Sequence, residues 1–324
     1  MRAIVQTHYG STDSLTMQEV DRPVAGANEV LVRVHAASIN ARDWHVMRGD
    51  PRIARWMDTK IFGRRGPKQP IHGVDFAGTV EAVGSGVRDL LPGEAVYGEA
   101  AAGAFADYVC APRANLDRKP ENLTFEQAAA VPLAAVTAIT LLRHVTAGDR
   151  VLINGASGGV GTFAVQIAAA MGAEVTAVCS TRNVELVRSI GAKHVVDYTR
   201  DDVVGRFDTV LDLVGNRRLK DLRGLLEPTG TLILSGGGTY EGGSFLGPVS
   251  LIVGGQIRGL FSKQSIRAPT AKPSSETLIE LRKLIESGQV TPIIDRTYPL
   301  ADTPAAIEYL ESEHARAKVV IAVV

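Results

Sequence analysis

The hydrophobic pattern changes texture twice along the chain. Up to about residue 118 the apolar positions come in short runs broken by turn residues. Residues 2–6 make one run, and 29–36 alternate apolar and polar with period two, as a half-buried strand does. Residues 74–83, 94–97 and 106–111 predict further strands, separated by Gly84-Ser85-Gly86 and Pro92-Gly93 turns. Residues 63–70 read as a loop. No long helical period interrupts this stretch.

Beyond residue 120 strand and helix alternate. Thr124 and Gln127 form a capping box that opens a helix over 124–130, and 134–145 continue as helix. Strands are predicted at 150–154, 174–179, 194–197, 207–212 and 230–235, with helices at 160–171, 183–190 and 219–226. A last strand–helix pair is expected at 266–268 and 274–287. Near-continuous Val/Ile/Leu strands between helices predict a parallel sheet covered on both faces. Strands at 292–295 and 318–324, with a helix at 303–311, return to the first texture. The fold class is therefore α/β: a doubly wound parallel sheet over 119–289, inserted in a β-rich domain of residues 1–118 plus 290–324.

The strongest chemical signal is Asn154-Gly155-Ala156-Ser157-Gly158-Gly159-Val160-Gly161, which follows a strand and opens a helix. Gly155, Gly158 and Gly161 are spaced three apart, a variant of the dinucleotide fingerprint. A pyrophosphate lies against backbone N–H groups at a helix N-terminus, where a side chain in the turn would hold it away. The ordinary alternative is a tight turn that binds nothing. The next strand leads into Ser180-Thr181-Arg182-Asn183, without the carboxylate that takes ribose hydroxyls in NAD enzymes. A hydroxyl and a guanidinium there suit a 2′-phosphate, which points to NADPH. The competing reading makes Ser180 a helix cap and Arg182 a solvated residue.

Composition narrows the classes. A length of 324 residues suggests two domains. Thirty-five basic residues balance thirty-five acidic ones. That disfavours a nucleic-acid binder led by charge and a surface recruited to anionic membranes. Two cysteines, Cys110 and Cys179, exclude a disulfide scaffold. Neither a secretory leader nor a run of about 18 apolar residues is visible, so a cytoplasmic protein is expected.

Several stretches together are similar to a known family. They are the glycine loop, Ala192-Lys193-His194-Val195-Val196-Asp197-Tyr198, Ser38-Ile39-Asn40, Gly73-Val74-Asp75-Phe76-Ala77-Gly78, Val136-Thr137-Ala138 and Ala317-Lys318-Val319-Val320-Ile321. They resemble the zinc-independent, zeta-crystallin-like quinone oxidoreductases of the medium-chain dehydrogenase/reductase superfamily, nearly end to end. The resemblance implies a GroES-like catalytic domain around a Rossmann NADPH domain, and a homodimer. It implies Ser157, Gly158, Gly159 and Val160 at the pyrophosphate, with Gly161 in the same turn, and Ser180, Arg182 and Tyr198 at the 2′-phosphate. Thr137, Gly215, Ser235, Phe261 and Lys318 would surround the nicotinamide, with Asn40 beside it and the substrate. Plain structural readings stand against several of these: a turn residue for Asn40, a strand-end aromatic for Tyr198, a core or dimer contact for Phe261.

Zinc relatives of this fold carry a Cys near Ser38 and Gly-His-Glu where this chain has Gly73-Val74-Asp75, so no metal is expected. Hydride delivery to a quinone or to the β-carbon of an enone needs only hydrogen-bond donors for the developing oxyanion. Asn40 is the candidate donor. His45 is a candidate proton donor, or a structural histidine. The expected activity is NADPH-dependent reduction of quinones or α,β-unsaturated carbonyls. The alternatives are an NADPH-binding protein with little turnover and a zinc-independent alcohol dehydrogenase.

Overall fold

The computed structural model describes residues 1–50, 52–57, 59, 61–235, 263–312 and 315–324. The expectation for Phe261 lies outside the described residues. The chain packs as two units: Met1–Val136 with Lys272–Gly288 and Pro292–Val324, and Thr137–Ala271 with Gln289–Thr291.

In the first unit β1 (Arg2–Val5) pairs antiparallel with β2 (Thr16–Glu19). A seven-stranded sheet follows. It runs β14 (Ile294–Pro299), β15 (Lys318–Ala322), β3 (Glu29–Ile39), β4 (Asp75–Val83), β5 (Ala95–Glu99) and β7 (Leu116–Arg118), with β6 (Tyr108–Pro112) also on β3. The period-two pattern does its work in β3: Val30, Val32 and Val34 are fully buried while Arg33 faces water. With Phe76, Phe105, Leu116 and Ile321 they build one core, each large side chain contributing about 1.5–3 kcal/mol by leaving water.

No hydrophobic period announces α1 (Ala41–Arg48). It is a short helix that buries Trp44 and Met47, and Gly49 ends it at φ 61°, a left-handed cap that favours glycine. A single turn, α2 (Ala54–Met57), lies in the excursion that follows. Helix α3 (Phe125–Ala129) has the predicted capping box between Thr124 and Gln127, and α4 (Pro132–Leu142) comes next.

Among the described residues the second unit holds a six-stranded, all-parallel sheet. Its order is β10 (His194–Asp197), β9 (Glu174–Cys179), β8 (Arg150–Asn154), β11 (Phe207–Asp212), β12 (Leu226–Leu234) and β13 (Ser265–Arg267). Numbered by appearance within the unit this is 3-2-1-4-5-6, the doubly wound order, whose direction reverses between β8 and β11. Val151, Leu152, Ile153, Val210 and Leu211 are buried in succession, as strands covered on both faces require. Helices α5 (Gly159–Ala170), α6 (Val184–Ser189) and α7 (Leu219–Gly224) connect the strands.

Helix α8 (Ser275–Glu286) is capped by the Ser274 hydroxyl and buries Leu278, Leu281 and Ile285. It packs with the first unit. The Tyr97 hydroxyl donates to the Leu278 carbonyl at 2.9 Å, and Arg282 pairs with Asp117 at 3.0 Å. Helix α9 (Thr303–Ser312) precedes β15.

Candidate active site

The turn from β8 into α5 has a backbone that demands glycine. Gly155 sits at φ +87°, and a Cβ on Gly161 would lie 2.1 Å from the Gly155 carbonyl oxygen. Gly158 differs. It is the extended N-cap of α5, and a Cβ there would meet only the Gly155 oxygen, at an ordinary 3.5 Å. Nothing among the described residues forbids a side chain at Gly158, which fits a turn shaped to meet a ligand. The first turn of α5 leaves the N–H groups of Gly159, Val160 and Gly161 without intrahelical acceptors, at the positive end of the helix dipole.

Of the other predicted cofactor residues in this unit, Ser180, Arg182, Tyr198, Gly215 and Ser235 collect at the carboxyl ends of the strands. Asn183, which sequence reasoning missed, donates its side-chain amide to Ser157 Oγ at 3.0 Å and lies 3.4 Å from Ser180 Oγ. It ties the glycine turn to the end of β9. Arg182 is exposed on the short turn after Ser180, and the Tyr198 N–H donates to the Cys179 carbonyl at 3.1 Å, which sets that half-exposed ring beside the same strand end. Asp212 was also missed. Fully buried at the end of β11, its Oδ1 accepts from Asn154 Nδ2 and from the N–H groups of Val214 and Gly215. Its backbone carbonyl accepts the Ser235 N–H at 3.0 Å. Gly215 and Ser235 are thereby brought together, while Thr137 is half-buried within α4. An acid closing an apolar run, as in Val210-Leu211-Asp212, is the signal that marks such a residue.

The first unit holds a buried polar cluster. Asn40 caps α1, with its N–H donating to Asp43 Oδ2 at 2.8 Å. Its side-chain nitrogen donates to Asp75 Oδ2 at 2.9 Å, and its oxygen accepts from Lys318 Nζ at 2.5 Å. Lys318 also donates to the Ile39 carbonyl at 3.1 Å and lies 3.5 Å from Asp75 Oδ2. Asp75 further accepts from Ser38 Oγ and from the Leu133 N–H. Lys318 is 2% exposed and Asp75 0%, so the ammonium and carboxylate exist there only because each satisfies the other.

Glu99 stands opposite Asp75 in the β4–β5 register. Burial, and then the Asp75 charge, push its carboxyl up to about 8. Burial pushes Asp43 up to about 6 and the Lys318 ammonium down. Asp43 also lines a cavity of about 310 Å³ with Arg42, Ile61, Ile71, His72 and Val74. His72 is buried, and burial together with the Arg42 charge lowers its imidazole to about 4. His45 is not brought to this cluster. Its Nδ1 lies 3.0 Å from the Asp50 carbonyl, its ring stacks on Trp44, and burial lowers its pKa.

Comparison with known proteins gives this geometry a context. Residues 26–121 match the alcohol dehydrogenase GroES-like domain, and residues 190–321 match a domain described as zinc-binding dehydrogenase. The chain is 34% identical to the mouse mitochondrial NAD(P)H oxidoreductase RTN4IP1, over all of this chain and 89% of that protein. It is 31% identical to the Arabidopsis thaliana chloroplastic NADPH-dependent alkenal/one oxidoreductase, over 99% of this chain and 79% of the relative. The structure of the Coxiella burnetii quinone oxidoreductase superposes with a TM-score of 0.85 at 29% identity, covering 100% and 99% of the two chains. These relatives overturn one expectation: they are named mitochondrial and chloroplastic, so a cytoplasmic location is not supported.

The zinc in that domain's description can be tested against the residues. A catalytic zinc needs three protein ligands and an open position. Where zinc relatives place ligands this chain has Ser38 and Val74, and the adjacent carboxylate, Asp75, is already held by Ser38, Asn40, Leu133 and Lys318. Among the described residues no three of His, Cys, Asp or Glu gather to hold a metal. The residues present do not fit a zinc.

Proposed function

The chain belongs to the medium-chain dehydrogenase/reductase superfamily with the NAD(P)H and quinone oxidoreductases, and on that premise we propose that it reduces quinones or α,β-unsaturated carbonyl compounds with NADPH, without zinc. The observation that carries this reading is the glycine turn after β8, where a side chain at Gly158 would meet, among the described residues, only the Gly155 oxygen at an ordinary 3.5 Å.

When bound, NADPH supplies the hydride. The N–H groups of Gly159, Val160 and Gly161 would hold its pyrophosphate, as a helix N-terminus does. Ser157 would border it, while Ser180, Arg182 and Tyr198 would hold the 2′-phosphate. Gly215 and Ser235 would leave the ends of β11 and β12 free of bulk for the rest of the cofactor, and Thr137 would be a further contact near the nicotinamide.

In the first unit Lys318 and Asp75 fix the amide of Asn40 from both sides. The ammonium holds the oxygen and the carboxylate holds the nitrogen, so the flip state is set. The amide is polarised as well, and beside the Asp75 bond its nitrogen has only a long 3.5 Å contact to the Ser38 carbonyl, which an N–H would exchange for the oxygen that gains charge during reduction. Lys318 thus acts through Asn40 rather than on the nicotinamide. His45, turned to the Asp50 carbonyl, is a structural group. We also infer a homodimer, which light scattering on the purified protein tests.

Loss of nicotinamide absorbance with a naphthoquinone, an alkenal, an enone and a saturated ketone separates the readings. Turnover of the first three and not the ketone supports the proposal. Turnover of the ketone alone would make the protein an alcohol dehydrogenase, and tight NADPH binding with no turnover would make it a binding protein.

A further inference from the structure

A formal charge of zero conceals a lopsided distribution. Within residues 48–68, seven basic side chains (Arg48, Arg52, Arg55, Lys60, Arg64, Arg65 and Lys68) face only Asp50 and Asp58. This one excursion is strongly positive, and the rest of the chain is correspondingly negative.

Its described residues sort into two groups. Arg48 is committed to Glu311, and Arg55 is turned inward, donating to the Gly49 carbonyl at 2.8 Å and covering the Tyr9 ring at 4.2 Å. Arg52, Arg64, Arg65 and Lys68 are exposed, and their side chains have no ion pair or hydrogen bond among the described residues. Trp56, between Arg52 and Arg64 in the sequence, is 74% exposed. The excursion is fastened at its base. Tyr9 OH donates to the Gly63 carbonyl at 2.9 Å and accepts the Gly63 N–H at 3.0 Å, while Phe62 is buried. Ile61 and Pro67 of the same excursion, with Gln69 just after it, line the first unit's cavity.

We propose that Arg52, Trp56, Arg64, Arg65 and Lys68 form a docking surface for an anionic phospholipid bilayer, and that the acceptor is a lipophilic quinone or enone drawn from that bilayer. Basic side chains near an anionic leaflet are attracted to it over about a Debye length. An indole prefers the headgroup level, with its ring in the apolar boundary and its N–H in water. The inference about the acceptor rests on the proposed function, since the cavity wall and the docking surface belong to one loop.

The test uses the full chain. It should co-sediment with phosphatidylcholine vesicles containing phosphatidylserine and not with phosphatidylcholine alone, and salt should release it. An Arg64→Glu/Arg65→Glu variant should bind the anionic vesicles about tenfold more weakly or worse. It should keep wild-type turnover of a water-soluble quinone and lose turnover of a long-chain quinone dissolved in the vesicles. Trp56 emission should shift to the blue on binding. Four results would each overturn the docking surface: no sedimentation, equal sedimentation on neutral vesicles, undiminished binding by the double variant, or tighter binding to an oligonucleotide than to the anionic vesicles. Failure of wild type on the water-soluble quinone strikes the proposed function instead, while the sedimentation result still decides the surface.

Discussion

Lys318 donates to the side-chain oxygen of Asn40 across 278 positions of sequence, from the first residue of β15 to the cap of α1. Removing the ammonium leaves the buried Asp75 carboxyl without its cation and Asn40 free to flip. Lys318→Met should therefore cost about 3–5 kcal/mol of stability. It should lower kcat/KM for a quinone by roughly tenfold or more, while the Kd for NADPH is unchanged. Asp75→Asn in the same chain should restore most of the stability and not the activity. Denaturant melts and steady-state kinetics of the three variants check this. An unaltered melt for Lys318→Met would remove the ion pair from the account.

Gly158 and Gly161 should respond to alanine in opposite ways. Gly161→Ala forces a Cβ against the Gly155 carbonyl, so it should lower the melting temperature of the cofactor-free protein. Gly158→Ala should leave that temperature where it was and weaken NADPH by about tenfold or more, because its methyl meets only the ligand's space. Calorimetric titration with scanning fluorimetry reads both.

Arg182 is placed at the end of β9 with Ser180 and Tyr198. Arg182→Ala should weaken NADPH by roughly tenfold to a hundredfold and NADH by much less, since only the 2′-phosphate distinguishes them. Equal losses for the two cofactors would move phosphate recognition elsewhere.

Glu99 gives a pH prediction with a definite sign. Its carboxyl titrates higher in the folded protein, at about 8, than its ordinary 4.5. The folded state thus holds a proton that the unfolded state has released. The stability contribution is complete below pH 4.5 and is lost as pH rises through about 8. Melting temperature should therefore fall by several degrees between pH 6 and pH 9, and Glu99→Gln should flatten that fall. His72 works in the opposite sense below pH 6.5, where the unfolded state takes up a proton that the buried ring refuses down to about 4.

The second unit was legible because its strands carry their own signature. Runs such as Val151-Leu152-Ile153 and Val210-Leu211 sit between helices, and the glycine turn marks where the first strand stops. β2 was invisible for the opposite reason: all four of its residues are exposed, so burial imposes no alternation. Helix α1 is two turns long and too short for a clear period. Asn40, Lys318 and the glycines could be named from the sequence, but their relations could not. Asp75 meets Lys318 only through the pairing of β15 with β3 and of β3 with β4, and Glu99 meets Asp75 only through the register of β5. Pairings of high sequence separation leave no local trace. His45 shows the converse: its residue type suggested chemistry, and a carbonyl five residues on gives it an ordinary occupation.

The pairing of Ala36–Ile39 of β3 with β15 sets an order of events on the ribosome. β15 leaves the tunnel some 280 residues after β3, and at about 5–20 residues per second that delay lasts on the order of tens of seconds. Throughout it β3 has an open edge, and Asp75 has no cation to meet. The inserted parallel sheet, local in sequence, can close meanwhile. The nascent chain is thus a folded nucleotide-type unit leading an unfinished one, and a chaperone that shields strand edges would find its substrate in residues 36–39.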